Sequence, residues 1–360
     1  MPSPTVPAGA TARPPHIVVS MNFMHVGRSG GVIDVAENLV AELQPLCGDR
    51  LTVVRPQRKT SRLAQVAWRY LSEAVLELHW WRRPAVALFP NYFIFPLPFS
   101  RLRRVVVVHD LQFKHFPGYT RCLKRLVLDL SYRCARRFAD GVVFISAATR
   151  EDFLRFYGTP RRGAVIPNPV SIDSSAEAGP VRPYPYAIAN FHYYRHKNIA
   201  GLLGCFDALR ARWPGLRLLM TGNRDADWDR LVGSDPSARG IEHVGFVDKA
   251  EVFRLVRGAQ FFVSMSEFEG FNMSAAEAAL LGKPLVLSDI PVHREMFGDI
   301  AHLVRLDAPL DPDAVLRHVR GEGDAPVPCR PWRHRDRVAP AAVAAQYLAF
   351  MDSTRGGAAA

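Results

Sequence analysis

Glu269 and Glu277 stand eight residues apart in the stretch SEFEGFNMSAAEAALLGKPLVLSDI, which runs from Ser266 to Ile290. A Gly-Phe-Asn turn follows the first carboxylate, and Ala275, Ala276, Ala278 and Ala279 flank the second. Backbone N–H groups at such a helix start can receive an anion or a sugar hydroxyl. A carboxylate at Glu269 can accept from a polyol. Glu277, about two turns further on, can take vicinal hydroxyls such as those of a ribose. The alanines let a ligand or another backbone come close. Two carboxylates among small residues suit a sugar nucleotide better than an apolar ligand. The plainer alternative is a helix start whose acids complement the helix dipole.

Such residues need a scaffold. HIVVSM (16–21) reads as a first strand, followed by a loop with Gly30 and Gly31 and then Val32, Val35, Leu39 and Leu43 at helical spacing. Strand-like runs recur at RLTVV, AVALF, RVVVVHD and GVVFIS, with a helix over 120–139 among the segments between them. After a Pro/Ser/Gly-rich stretch the alternation restarts. It predicts strand YAIAN, helix 198–212, strand LRLLMTG, a helix near 226–232, strand IEHVGFV, helix 248–258, strand AQFFVS, the helix of the 270s and strand PLVLSD. Strands alternating with helices predict parallel sheets covered on both faces. The chain therefore divides into a disordered leader (1–15), a first Rossmann-like domain (16–170), a linker (171–185), a second such domain (186–334), a C-terminal helix (335–351) that can return to the first domain, and a disordered tail (352–360). In open parallel sheets ligands sit beyond the carboxyl ends of the strands. Two such sheets facing each other make a cleft lined from both sides.

Composition narrows the function. A length of 360 residues with 48% hydrophobic residues allows two sizeable cores. No run of 18 apolar residues occurs, so no transmembrane helix is expected. Five cysteines, irregularly spaced and without a CxxC, point away from a disulfide framework or a zinc site and fit a reducing cytoplasm. Charge is lopsided: the first 170 residues hold 24 Lys and Arg against 11 Asp and Glu, whereas residues 171–360 hold 22 against 23. A positive first half attracts phosphates, anionic lipid or nucleic acid. Within it, 121–137 is a basic amphipathic segment, with Arg121, Lys124, Arg125, Arg133, Arg136 and Arg137 beside an apolar side of Leu123, Leu126, Leu130 and Cys134. That pattern fits either a solvated basic face or an anionic membrane surface. FPNYFIFPLPFSRLRR (89–104) is either a lipid or acceptor contact or core and loop.

The opening stretch resembles the E-x7-E signature of the retaining GT-B glycosyltransferases of family four. Other segments match in the expected order: GGVIDVAENLVAEL, VVHDLQ, IPNPVSID, YAIANFHYYRHKN and IEHVGFVDKAEVFRLVRGAQFFVSMS. The resemblance spans about residues 16 to 350. It implies a GT-B fold of two doubly wound Rossmann-like domains facing across a cleft. It also implies roles. Glu269 would contact the transferred sugar, with His109 on the sugar from the opposite domain. Lys197 would neutralise the diphosphate as the glycosidic bond breaks. The backbone of Gly270, Phe271 and Asn272 would hold sugar hydroxyls and the distal phosphate, and Glu277 the ribose. Gly30 and Gly31 would approach the diphosphate, and Gly245, Phe246 and Val247 would line the base pocket. Asn190 stands where the family commonly has an arginine, with Arg195 a candidate substitute, and Asn272 stands in place of the usual glycine.

The resulting expectation is a metal-independent hexosyltransferase, peripheral on the inner face of the membrane. It would use a nucleotide sugar, GDP-mannose first, as substrate, and would need no cofactor. Its acceptor would be a saccharide, lipid-linked in a cell-surface polysaccharide or glycolipid pathway. The acidic run at 225–227 (DAD) lies at a loop and helix start, which fits helix capping better than a metal site. His109 also fits a strand-end histidine paired with Asp110, Lys197 an ordinary surface lysine, and the two glycines a tight turn. Rival functions are another GT-B enzyme, an epimerase or a phosphorylase, and a basic nucleic-acid-binding protein. The first pair lacks the Glu-Gly-Phe signature. The last leaves the cleft carboxylates without a purpose.

Overall fold

The computed structural model describes residues 14–22, 31–56, 62–91, 101–172, 182–190, 194–223, 228–233, 235–322 and 331–354. The first half runs β1 (His16–Ser20), α1 (Gly31–Cys47), β2 (Leu51–Val54), α2 (Arg62–His79), β3 (Ala85–Phe89), β4 (Leu102–Val108), α3 (Gln112–His115), α4 (Cys122–Phe138), β5 (Gly141–Phe144), α5 (Ala147–Tyr157) and β6 (Gly163–Val165). The second half runs β7 (Tyr186–Asn190), α6 (Ile199–Arg212), β8 (Arg217–Thr221), α7 (Trp228–Val232), β9 (Ile241–Gly245), α8 (Lys249–Gly258), β10 (Phe261–Ser264), α9 (Met273–Leu280), β11 (Leu285–Ser288), α10 (Pro291–Phe297), β12 (Ala301–Val304), α11 (Pro312–Arg320) and α12 (Pro340–Ser353).

The strands form two six-stranded sheets, ordered β2-β1-β3-β4-β5-β6 and β12-β11-β10-β7-β8-β9, with every pairing parallel. Continuous apolar runs explain this. AVALF of β3 and GVVF of β5 are buried at every position, so both sheet faces must be covered by helices. This is the doubly wound α/β architecture expected from the alternation. The order of each sheet reverses once, beside β1 in the first and between β7 and β10 in the second. Ligand crevices of such sheets open at these switch points.

Several elements depart from the reading of the sequence. α10, β12 and α11 follow β11 where no element was expected. The last helix starts at Pro340 rather than Arg335, because residues 333–338 form turns and proline is preorganised for a first helical turn. Leu123, Leu126 and Leu130 do not form the packed side of α4. They are exposed, and Ser131, Tyr132 and Ala135 face the core instead. Gly30, most of 89–104, most of the linker, the 225–227 run, the leader to residue 13 and the tail from residue 355 lie outside the described residues.

The chain crosses between the sheets a second time near its end. Trp332 Nε1 donates to the Met296 carbonyl at 2.6 Å, and Val170 N donates to Val338 O at 2.9 Å. α12 then packs on α1 of the first half. Gly141 makes room for this packing, since an added Cβ would lie 2.7 Å from the Phe350 ring and push it aside.

Candidate active site

The loops after β7 and β10 flank the switch point of the second sheet, and they carry the two central groups. A 3-10 turn, Arg195–Lys197, delivers Lys197, and Glu269 precedes α9. Lys197 Nζ lies 2.6 Å from Glu269 Oε1, with both side chains largely buried. Ser266 Oγ donates to the same oxygen at 2.7 Å. Glu267 N donates to His196 O at 2.7 Å and ties the two loops together. Burial alone would raise the Glu269 carboxyl, but the Lys197 ammonium and the Ser266 hydroxyl more than offset it and hold it below the ordinary range.

The first sheet supplies the opposite wall. His109 follows β4, and its Nε2 donates to the Pro90 carbonyl at 2.6 Å. Burial pushes this imidazole down, so it is neutral with Nδ1 bare. Gly270 docks directly on this loop, where a Cβ would lie 2.0 Å from the His109 carbonyl oxygen. No side chain fits there, which gives the Glu-Gly pair a steric reason. Ser146 Oγ donates to Gly270 O at 2.8 Å, and the Gln112 amide hydrogen-bonds His196 Nδ1. Phe268, next to Glu269, packs on the rings of His115 and Phe116. Glu269, Lys197 and His109 are thereby gathered at one junction of the two halves.

Glu277 is buried on α9, and its Oε1 meets Lys249 Nζ at 3.0 Å. Its carboxyl is raised above the ordinary range by burial, against the pull of Lys249, and Asp34 in the first turn of α1 adds to the rise. Gly31 opens α1 with nothing within 4 Å of an added Cβ, so it is not crowded. Arg195 stacks its guanidinium 5.7 Å from the Tyr119 ring, across the junction. Asn190 ends β7. Gly245 ends β9 with φ 83°, Phe246 beside it is exposed, and Val247 is half-buried. Phe271 is buried in the core, which leaves only its backbone for the contact expected of it. Asn272 adopts φ 68° and caps α9 through Ala275 N at 3.1 Å.

The sequence reading missed Ser266, Lys249, Asp34, Ser146, Glu295 and His293. Three of these, Ser266, His293, which accepts from Asn272 Nδ2, and Glu295, which accepts from Ala147 N and Ala148 N, lie in or just beyond the E-x7-E stretch and could have been found there. The others reach the site through tertiary contacts with no local signal.

Sequence and structure comparisons bear on the family and the fold. A family model described as "Glycosyl transferases group 1" matches residues 182–320, and one described as "Glycosyltransferase Family 4" matches residues 29–174. The chain belongs to glycosyltransferase family four. It is 29% identical over 249 residues to the O-antigen chain mannosyltransferase B of Escherichia coli, covering 64% of this chain and 63% of that protein. It is 27% identical over 229 residues to the GDP-mannose:cellobiosyl-diphosphopolyprenol alpha-mannosyltransferase of Xanthomonas oryzae, covering 61% and 57%. The matches thus span about three fifths of these relatives. Sucrose-phosphate synthase from Thermosynechococcus elongatus shares the fold, with a TM-score of 0.70 over 96% of this chain and all of that one, at 18% identity. No helix among the described residues is long and apolar enough to cross a membrane.

Proposed function

We propose that the protein is a retaining glycosyltransferase that moves mannose from GDP-mannose to a lipid-linked saccharide. The observation that carries this reading is the Glu269–Lys197 pair at the switch point, with Gly270 seated on the His109 loop. Two relatives named for mannosyl transfer support the choice of sugar, and one of them is named for GDP-mannose and a diphosphopolyprenol acceptor.

The chemistry follows from charge. As the anomeric carbon parts from the diphosphate oxygen, positive charge grows on the sugar and negative charge on the diphosphate. The Lys197 ammonium stabilises the diphosphate, and the N–H groups at the start of α9 that lack partners within the helix add to it. Glu269 holds the sugar and faces its developing charge. An acceptor hydroxyl oxygen takes the place of the diphosphate oxygen, and its proton leaves with the nucleotide or to solvent. Glu277 takes the ribose hydroxyls, releasing Lys249. The site needs no divalent metal to carry the diphosphate charge.

A thermal-shift panel of GDP-, UDP-, ADP- and TDP-sugars tests the donor. A ligand at 100 times its Kd adds about 2.7 kcal/mol of stability. GDP-mannose stabilises the protein and labelled mannose reaches a polyprenol-diphosphate saccharide, in EDTA as in buffer. Stabilisation by UDP-sugars alone overturns the donor. Transfer that stops in EDTA and returns with Mg²⁺ overturns metal independence.

A further inference from the structure

Asn272 holds a left-handed backbone, φ 68° and ψ 74°, which few side chains tolerate and asparagine tolerates best. Its amide has two close partners, besides a longer 3.5 Å contact from Nδ2 to Ser264 Oγ. Oδ1 accepts from Ala275 N and caps α9. Nδ2 donates to His293 Nε2 at 2.9 Å. His293, from α10, is fully buried. Its Nδ1 lies 2.8 Å from the Ser288 carbonyl oxygen. A carbonyl only accepts, so Nδ1 carries the proton and Nε2 is the bare acceptor the Asn272 amide requires. From Ser288 the network continues to the carboxylate: Ser288 Oγ donates to Ser266 O at 2.5 Å, and Ser266 Oγ donates to Glu269 Oε1 at 2.7 Å.

We infer that neutral His293 is a positioning residue: by fixing the Asn272 amide it sets the conformation of the Glu269–Asn272 loop, and so the place of the carboxylate against the sugar. The amide cannot change partners freely. A protonated ring would present Nε2–H to an N–H donor. Asn272 could satisfy it only by rotating, which takes Oδ1 from Ala275 N and uncaps the helix. The charged groups around the ring are Glu269 and Asp289, which favour protonation, and Lys197, which opposes it together with burial. Burial dominates and keeps the ring neutral.

Isosteric variants separate positioning from packing. Glutamine at 293 can offer an oxygen near Nε2 and keep the Asn272 contact. Asparagine there can reach the Ser288 carbonyl but not Asn272. The kinetic arm rests on the proposed mannosyl transfer. His293→Asn lowers kcat about tenfold or more while the donor KM stays within about twofold. His293→Gln stays within about threefold of the wild-type kcat. In an Asn272→Gly background, His293→Asn costs nothing further, because the shared contact is already gone. Equal losses in the two His293 variants, or additive losses in the double variant, overturn the inference. A second arm needs no reaction. Long-range ¹H–¹⁵N spectra of histidine-labelled protein, with His293→Asn as the assignment control, show His293 as the Nδ1–H tautomer from about pH 6 to about pH 8. An Nε2–H tautomer or a charged ring in that range overturns the inference whatever the donor is. A wild type that transfers no mannose overturns the functional reading and leaves the spectroscopic arm standing.

Discussion

Glu269 and Glu277 are carboxylates of one loop and helix, yet their surroundings pull them in opposite directions. Glu269 is held below the ordinary range, so its charge supports the fold at neutral pH, and that support fades as pH falls through its folded value. Glu277 is held above it, so its charge works against the fold, and the cost grows as pH rises from its unfolded value through its folded one. Removing the charge therefore has opposite effects. Glu277→Gln raises Tm of the free protein while weakening GDP binding by about tenfold, or ~1.4 kcal/mol, as a ribose-binding carboxylate requires. Lys249, about half exposed, can return to water and does not undo the gain. Glu269→Gln lowers Tm and cuts turnover by about a hundredfold or more, and Lys197→Ala cuts it similarly, because each acts on charge in the transition state. Calorimetry with GDP and melting curves check the first pair of effects; an unchanged or lower Tm in Glu277→Gln defeats it. Near-normal turnover in folded Glu269→Gln or Lys197→Ala removes that residue from the mechanism. Spacing made these residues legible, since a signature of two acids, a glycine and small residues survives in one dimension. Lys249 and Asp34 were not legible, because they meet Glu277 from two other helices.

At the scale of elements, one helix end joins the halves. The Glu295 carboxylate of α10 accepts from Ala147 N at 2.7 Å and Ala148 N at 2.9 Å, at the first turn of α5. Charge-assisted bonds at a helix N-terminus combine two favourable effects. Beside them, Ser146 holds Gly270. Arg333 Nη2 donates to the Glu295 carbonyl at 2.6 Å, so the second crossing of the chain braces the same helix. Glu295→Ala should thus loosen the contact between the two halves without touching any proposed ligand-binding group. The expected result is a larger radius of gyration by small-angle scattering and a three- to tenfold weaker apparent donor affinity, roughly the 0.3–1 kcal/mol of a helix-end charge plus its bonds. Unchanged scattering and affinity would show that this contact adds nothing to holding the halves together. The alternation that predicted β1 to β5 and β7 to β11 was legible because doubly covered strands are uninterrupted apolar runs. α10 was not, because PVHREMF is short and its anchors, Trp332 and α5, are distant in sequence.

Over the whole molecule, the positive charge of the first half meets an unusual surface. Leu123, Leu126 and Leu130 are 74%, 65% and 50% exposed on α4, and Arg133 and Arg137 continue the same stripe. The sequence showed that α4 has an apolar side but not that it lies exposed among the described residues, since burial depends on neighbours. If the acceptor is lipid-linked as proposed, leucines flanked by Arg121, Lys124 and Arg137 would suit an anionic bilayer, where each basic residue would add about 1 kcal/mol and the leucines would enter the acyl boundary. The opposite edge of the helix is anchored differently. Asp129 is engaged by Lys114, Arg133 and Tyr157 and lies at about 2, burial raising it and these partners lowering it further. Arg133 is thus best left in place in a test. Changing Arg121, Lys124 and Arg137 to Glu should abolish binding to phosphatidylglycerol-rich vesicles while leaving GDP affinity unchanged, since none of the three lies at the candidate site. Changing the three leucines to Ser should instead remove the part of binding that survives high salt. Wild-type protein should release gradually as salt rises from about 0.05 M to about 0.5 M, over which the Debye length shrinks severalfold. Protein that ignores such vesicles at the low-salt end would mark the acceptor as soluble and the leucine stripe as a surface for another protein.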